Sequence, residues 1–113
     1  MAKNKPVSAV LRAAQQSAGA PDYGDLRKAV LVLRAVNHDL RQEIISLLLE
    51  HGQLTVTEIY IRIRQEQSVA SQHLAILRRA KVVKTQRDGK FIHYSIDPDR
   101  LEQITRLVEE LAG

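Results

Sequence analysis

The sequence predicts a mainly α-helical domain with one small β-hairpin, in the order helix, helix, helix, helix, strand, strand, helix, with a further short helix ahead of it. Three observations carry this. Apolar residues recur at helical spacing in several stretches, Asp88-Gly89 separates two strand-like runs, and Asp97-Pro98 opens a last amphipathic stretch. At 113 residues the chain is one domain, small enough that a second copy would help it bury apolar surface.

Residues 1–25 read as an extension and linker. Val7, Val10, Leu11 and Ala14 keep helical spacing, and Gly, Pro and Asp then collect over residues 19–25 and break the pattern. The compact domain is expected over residues 26–113. In residues 26–36, Leu26, Ala29, Val30, Leu33 and Val36 make an apolar stripe that Leu31 and Val32 widen. This is more apolar surface than one core needs, so either a subunit contact or burial within the domain accounts for it. Asn37-His38-Asp39 can cap the next helix, in which Leu40, Ile44, Leu47 and Leu48 face inward before Gly52 ends it. His38 and His51 fall at helix ends, where a capping or solvated role is commoner than ligation.

Two signals conflict over residues 55–64. Thr55-Val56-Thr57-Glu58 has the form of a capping box and starts a helix, yet Ile59, Ile61 and Ile63 alternate with Tyr60, Arg62 and Arg64 at the period of a strand. A helix-turn-helix requires the helix, with the turn at residues 65–67 and Ser68 near the cap of the next element. On that next helix, Ala70, Leu74 and Leu77 share an apolar stripe, and Ser68, Ser71, Gln72 and Arg79 share the opposite face. Hydroxyls, amides and guanidinium groups on one free face suit base edges and phosphates.

The hairpin adds to this. With Asp88-Gly89 as a two-residue type I′ turn, Arg87 opposes Lys90, Thr85 opposes Ile92 and Val83 opposes Tyr94. Val83, Ile92, Tyr94 and Ile96 then face inward, Lys84, Gln86 and His93 face outward, and two cations flank the tip. After Asp97 as N-cap and Pro98 in the first turn, Leu101, Ile104, Leu107, Val108 and Leu111 form a narrow apolar seam, the mark of a helix that meets a partner helix.

Charge follows the same division. The whole chain carries +4, but residues 60–93 hold eight Lys or Arg against Glu66 and Asp88, a local +6, while residues 97–113 hold five acids against two Arg. A polyanion partner is indicated for the centre alone. The absence of cysteine excludes disulfides, thiolate metal sites and thiol switches. No run approaches the ~18 apolar residues of a membrane span, and the N-terminus lacks a long apolar core. A cytoplasmic protein without a membrane partner is expected. Enzyme chemistry has no recognisable triad or phosphate loop behind it.

With these elements in place, the chain resembles the ArsR/SmtB-type winged-helix transcriptional regulators over about residues 26–111. The resemblance is carried by VLRAVNHDLRQEIISLLLE, by SVASQHLAILRRAKVVKTQRDGK with its Ser71-x-His73-Leu74-x-x-Leu77 core, and by FIHYSI. It implies a winged helix-turn-helix and a homodimer built from the first and last helices, through Leu26, Val30, Leu33, Leu101, Ile104, Leu107, Val108 and Leu111. Each recognition helix is then expected to enter a major groove of a pseudo-palindromic double-stranded operator. Gln67, Ser68, Val69, Ser71, Gln72 and His73 become helix contacts, although His73 lies at the border of the polar face, where packing against the core is an equal alternative to a phosphate contact. Arg78 and Arg79 become backbone contacts, and Lys84, Arg87 and Lys90 wing contacts. Gln67 and Gln72 suit adenine, and Val69 a thymine methyl.

The chain also departs from the family pattern. It has no cysteine for the soft-metal sites and no histidine on the last helix for the zinc-type site, so no cofactor or metal is expected and the effector is open. Arg64 and Lys81 stand where the family often has glycine, and Asp39 where proline is common. A sequence-specific homodimeric repressor is the leading expectation. A winged-helix module that docks protein and binds DNA weakly is the alternative, supported by the apolar excess of the first helix.

Overall fold

The computed structural model describes residues 23–112. Its elements are α1 (Tyr23–Val36), α2 (Asp39–His51), β1 (Gln53–Thr55), α3 (Val56–Arg62), α4 (Gln67–Arg79), β2 (Val83–Asp88), β3 (Phe91–Ile96) and α5 (Pro98–Ala112). The helix expected around Val7 to Ala14 lies outside the described residues. Helix α1 begins three residues before the expected Leu26, so Tyr23, Gly24 and Asp25 belong to the helix and not to a linker. No helix among the described residues is long and apolar enough to cross a membrane.

The conflict at residues 55–64 resolves as a helix. Thr55 takes an extended conformation and its hydroxyl accepts the Glu58 N–H at 3.3 Å, while Glu58 accepts the Thr55 N–H at 3.0 Å, completing the capping box. The Thr55 N–H and the Thr55 hydroxyl, which both donate to its carboxylate at 3.0 Å, hold the Glu58 carboxyl below the usual carboxylate range. Val56, Ile59, Tyr60 and Ile63 have the i, i+3, i+4, i+7 spacing of a helix face; Ile59 and Ile63 are buried, and Ile61 is left 62% exposed. The strand-like alternation is therefore one helical stripe plus one surface isoleucine.

Helices α3 and α4 end in the same way. After α3, Arg64 N–H donates to the Ile61 carbonyl and Gln65 N–H to the Tyr60 carbonyl; after α4, Lys81 N–H donates to Arg78 and Val82 N–H to Leu77. Both are Schellman motifs, and both put a cation at the left-handed position, Arg64 at φ 57° and Lys81 at φ 66°. A non-glycine residue is strained there by about 1–2 kcal/mol. The positive side chain next to the free carbonyls of a helix C-terminus offsets part of that, by roughly 0.3–1 kcal/mol.

Between helices, β1, β3 and β2 form one antiparallel sheet in that order. Strand β1 is an element that three residues could not announce in sequence. It pairs Leu54 with Tyr94, so the hairpin is tied directly to the start of α3. The β2–β3 register also departs from expectation: Asp88 pairs with Phe91, Arg87 with Ile92, Thr85 with Tyr94 and Val83 with Ile96. Gly89-Lys90 forms the turn, with positive φ only at Gly89, as a type II′ turn demands. The shift moves each partner by two residues and so leaves the faces unchanged; Val83 and Ile96 remain buried.

The core is built from Ile44, Leu48, Ile59, Leu74, Leu77 and Val82, with Ile104 of α5 closing one side at 4% exposure. Ile104, expected at a subunit seam, is thus spent on the chain's own core. Asp97 accepts the Arg100 N–H at 3.1 Å and caps α5 as the Asp-Pro pair predicted.

Candidate nucleic-acid interface

Helix α4 presents one continuous polar arc. Gln67, Ser68, Ser71, Gln72, Ala75, Arg78 and Arg79 are exposed, while Ala70, Leu74 and Leu77 are buried and Val69 is half-buried at the flank. At about 100° per residue the exposed set covers roughly 140° of the helix surface without an interruption. The helix contains no Asp or Glu, and its N-cap, Glu66, makes no side-chain cap bond to the first-turn N–H groups. A helix about 10–12 Å across, polar on one arc and free of acids, matches a major groove about 12 Å wide.

The arc differs from the expected set at three places, the first being Val69, which is half-buried at its flank. Ala75 lies at its centre, where a methyl group allows close approach; the sequence signal is a small residue one turn beyond Ser71 and Gln72. His73 is turned away from it. The Arg41 guanidinium, a donor only, lies 3.2 Å from His73 Nδ1, so that nitrogen accepts and the imidazole is neutral. Arg41 also donates to the Ala35 carbonyl at 2.6 Å and to the Arg34 carbonyl at 3.1 Å. The His38 ring is 4.6 Å from that of His73, and its own Nδ1 accepts the Leu40 N–H as the cap of α2. Burial pushes the His73 pKa below its ordinary value, and the charges of His38 and Arg41 push the same way. His73 therefore joins the end of α1, the start of α2 and α4, and positions the arc.

The hairpin stands beside α4. An open groove of about 420 Å³ lies between them, lined by Ser71, Ala75, Arg78, Arg79 and Tyr94. Tyr94 comes from β3, and its sequence position marks it only as an inward-facing residue. Lys84, Arg87 and Lys90 are all exposed, but not on one face: Lys84 shares the outer face with Gln86, Arg87 shares the face of Val83 and Thr85, and Lys90 occupies the turn. Arg87 Nε donates to the Gly89 carbonyl at 3.2 Å, and the Lys90 ammonium lies 5.5 Å from the centre of the Phe91 ring. The hairpin thus presents cations in three directions, Arg87 and Lys90 at its tip and Lys84 near its base. Around the first and last helices, Val30 and Val108 are exposed and Leu26, Leu33, Leu101 and Leu107 half-buried; the Leu111 side chain lies outside the described residues.

A polar helix seated on a tri-helical core, flanked by a cationic hairpin, defines a winged helix-turn-helix DNA-binding domain. Residues 38–85 match the model of the arsR family of bacterial regulatory proteins, and an HTH-type transcriptional regulator of Methanocaldococcus jannaschii is 36% identical over 84 residues, 74% of this chain and 94% of its own. The chain belongs to the ArsR family and is a DNA-binding transcriptional regulator, not an enzyme. It is also similar to the transcriptional repressor PagR of Bacillus anthracis, at 34% identity over 90 residues, 80% of this chain and 90% of that protein. The crystal structure of PagR superposes with a TM-score of 0.61 over 77% of this chain and 99% of the other. NolR from Sinorhizobium fredii superposes with a TM-score of 0.67 at 28% identity, over 79% of this chain and 88% of its own.

Proposed function

We propose that this regulator is a cytoplasmic homodimer that represses transcription by covering a pseudo-palindromic promoter element. The observation that carries the reading is the acid-free polar arc of α4, backed by a core that fixes its orientation. Gln67, Ser68, Ser71 and Gln72 read base edges, Val69 meets a thymine methyl, and Arg78 and Arg79 hold phosphates; Lys84, Arg87 and Lys90 hold the neighbouring backbone. His73 is left out of the contact set because Arg41 and His38 occupy it.

Dimerisation uses the apolar surface that the single chain leaves open on α1 and α5, namely Leu26, Val30, Leu33, Leu101, Leu107, Val108 and Leu111. Repression is favoured by the likeness to PagR, and family membership favours DNA over a docked protein as the partner of α4. The chain has no cysteine and α5 no histidine, so the regulator is either constitutive or governed by other chemistry than those metal sites. The test is the double variant Ser71→Ala, Gln72→Ala against the operator and a scrambled duplex. Loss of at least about tenfold in preference, with the fold intact, supports the assignment, since one good base contact contributes about 1–3 kcal/mol of discrimination. Unchanged preference contradicts it.

A further inference from the structure

The cavity that bears most on α4 lies behind its C-terminal end. It measures about 460 Å³ and opens between α1, the end of α4 and the start of α5. Four cations line it: Lys28 from α1, Arg79 and Lys81 at the end of α4, and Arg100 from the first turn of α5. No acid lines it. Its inner wall is apolar, from Val32, Ala35, Ile76 and Ala80, and the two alanines are buried, so the space exists because those side chains are short. Arg100 is held in place by its Nε donating to the Ala80 carbonyl at 3.0 Å. Lys28, Arg79 and Lys81 make no ion pair among the described residues.

We infer that this cavity is a binding site for a small organic anion with an apolar body, a medium-chain or aromatic carboxylate. The volume lies within the range of about 300–1,000 Å³ usual for small-molecule sites, and an apolar wall with a few convergent charged groups is how such sites fix orientation. Bare phosphate would leave the apolar wall unused. A neutral hydrocarbon would leave the cations unused. The chain's own residues 1–22 carry Lys3, Lys5 and Arg12 against Asp22, so their charge opposes the rim and they are a poor occupant. A bound carboxylate takes Arg79 and Lys81 as counter-ions, and Arg79 belongs to the arc assigned to DNA. Bound anion therefore weakens DNA binding, a consequence that rests on the function proposed above, whereas the site itself does not.

Binding is read first without DNA, by following the backbone amides of the full-length protein during titration with decanoate and, separately, with decanol. Saturable shifts at Ala35, Ile76, Ala80 and Lys81 with decanoate, and none comparable with decanol, are expected. Lys28→Gln with Lys81→Asn should weaken decanoate at least tenfold while leaving the rest of the spectrum native; asparagine keeps the left-handed backbone at position 81 accessible. A second open groove, of about 360 Å³, is lined by Val30, Leu33 and Val108. Equal response to acid and alcohol, undiminished binding by the double variant, or shifts confined to that second groove would each overturn the site. Decanoate is then added to the protein–operator complex: release supports the regulatory consequence, and unchanged affinity despite saturated binding overturns that consequence alone.

Discussion

At His73 the family pattern and the local chemistry diverge. The pattern places the residue on the reading face, but Arg41 donates to its Nδ1 and His38 packs on its ring, so its neutral form is the one the fold selects. The folded state holds the imidazole neutral where a free one protonates, so the unfolded chain binds more protons in that window. Stability is complete above the unfolded pKa and falls as pH drops through it. The melting temperature should therefore decline from about pH 7.5 to about pH 5.5, and decline less in His73→Gln, whose amide oxygen still accepts from Arg41 without titrating. Parallel declines would show that His73 is not the group responsible. Thr55 gives a second prediction: Thr55→Ala removes the helix cap and should cost about 1 kcal/mol in a denaturant melt. The caps at Thr55 and Asp97 were legible because a cap is a local pattern of four residues or fewer. The turn of His73 was not, because it depends on where α2 packs.

Elements show the same division between local and distant causes. Helix α3 was ambiguous because Ile59, Ile61 and Ile63 satisfy a strand period while Val56, Ile59, Tyr60 and Ile63 satisfy a helical one; burial of the second set decides. The hairpin was legible but its register was not, since Asp88-Gly89 and Gly89-Lys90 are both acceptable two-residue turns and both leave the same faces inward. Strand β1 escaped notice because three residues carry no period, and only pairing with β3 makes them a strand. Arg64 and Lys81 were recognised as occupants of glycine positions, and their positive φ bears this out. If charge at the helix end offsets backbone strain, then Lys81→Gly should be within about 0.5 kcal/mol of wild type at low salt. The glycine variant should gain on wild type by a few tenths of a kcal/mol as salt screens the helix dipole. A difference that ignores salt would remove the electrostatic part of this explanation.

For the whole molecule, the uneven charge and the excess apolar surface have separate uses. The basic centre runs from the end of α3 through α4 and the hairpin, while the acidic C-terminal stretch begins at Asp97 and continues along α5. The surplus on α1 and α5 stays on the surface, with Val30 of α1 39% and Val108 of α5 41% exposed, which is where a second copy is proposed to sit. Val108→Glu should shift sedimentation from dimer to monomer and weaken operator binding with it; a dimer of unchanged strength would move the interface elsewhere. The fold class was legible because helical periodicity and the hairpin are repeated local signals. The seam on α5 was legible as an apolar stripe but not in what it meets, since Ile104 has the same spacing as its neighbours yet closes the chain's own core. Fluorescence anisotropy of the protein with its own upstream DNA and with a scrambled duplex over a salt series decides whether α4 reads sequence and the hairpin holds backbone. Binding at least about a thousandfold tighter to the upstream DNA, with a salt slope that drops by about one in Arg87→Ala, is predicted. Weak and equal binding to both duplexes, with identical slopes, would contradict it.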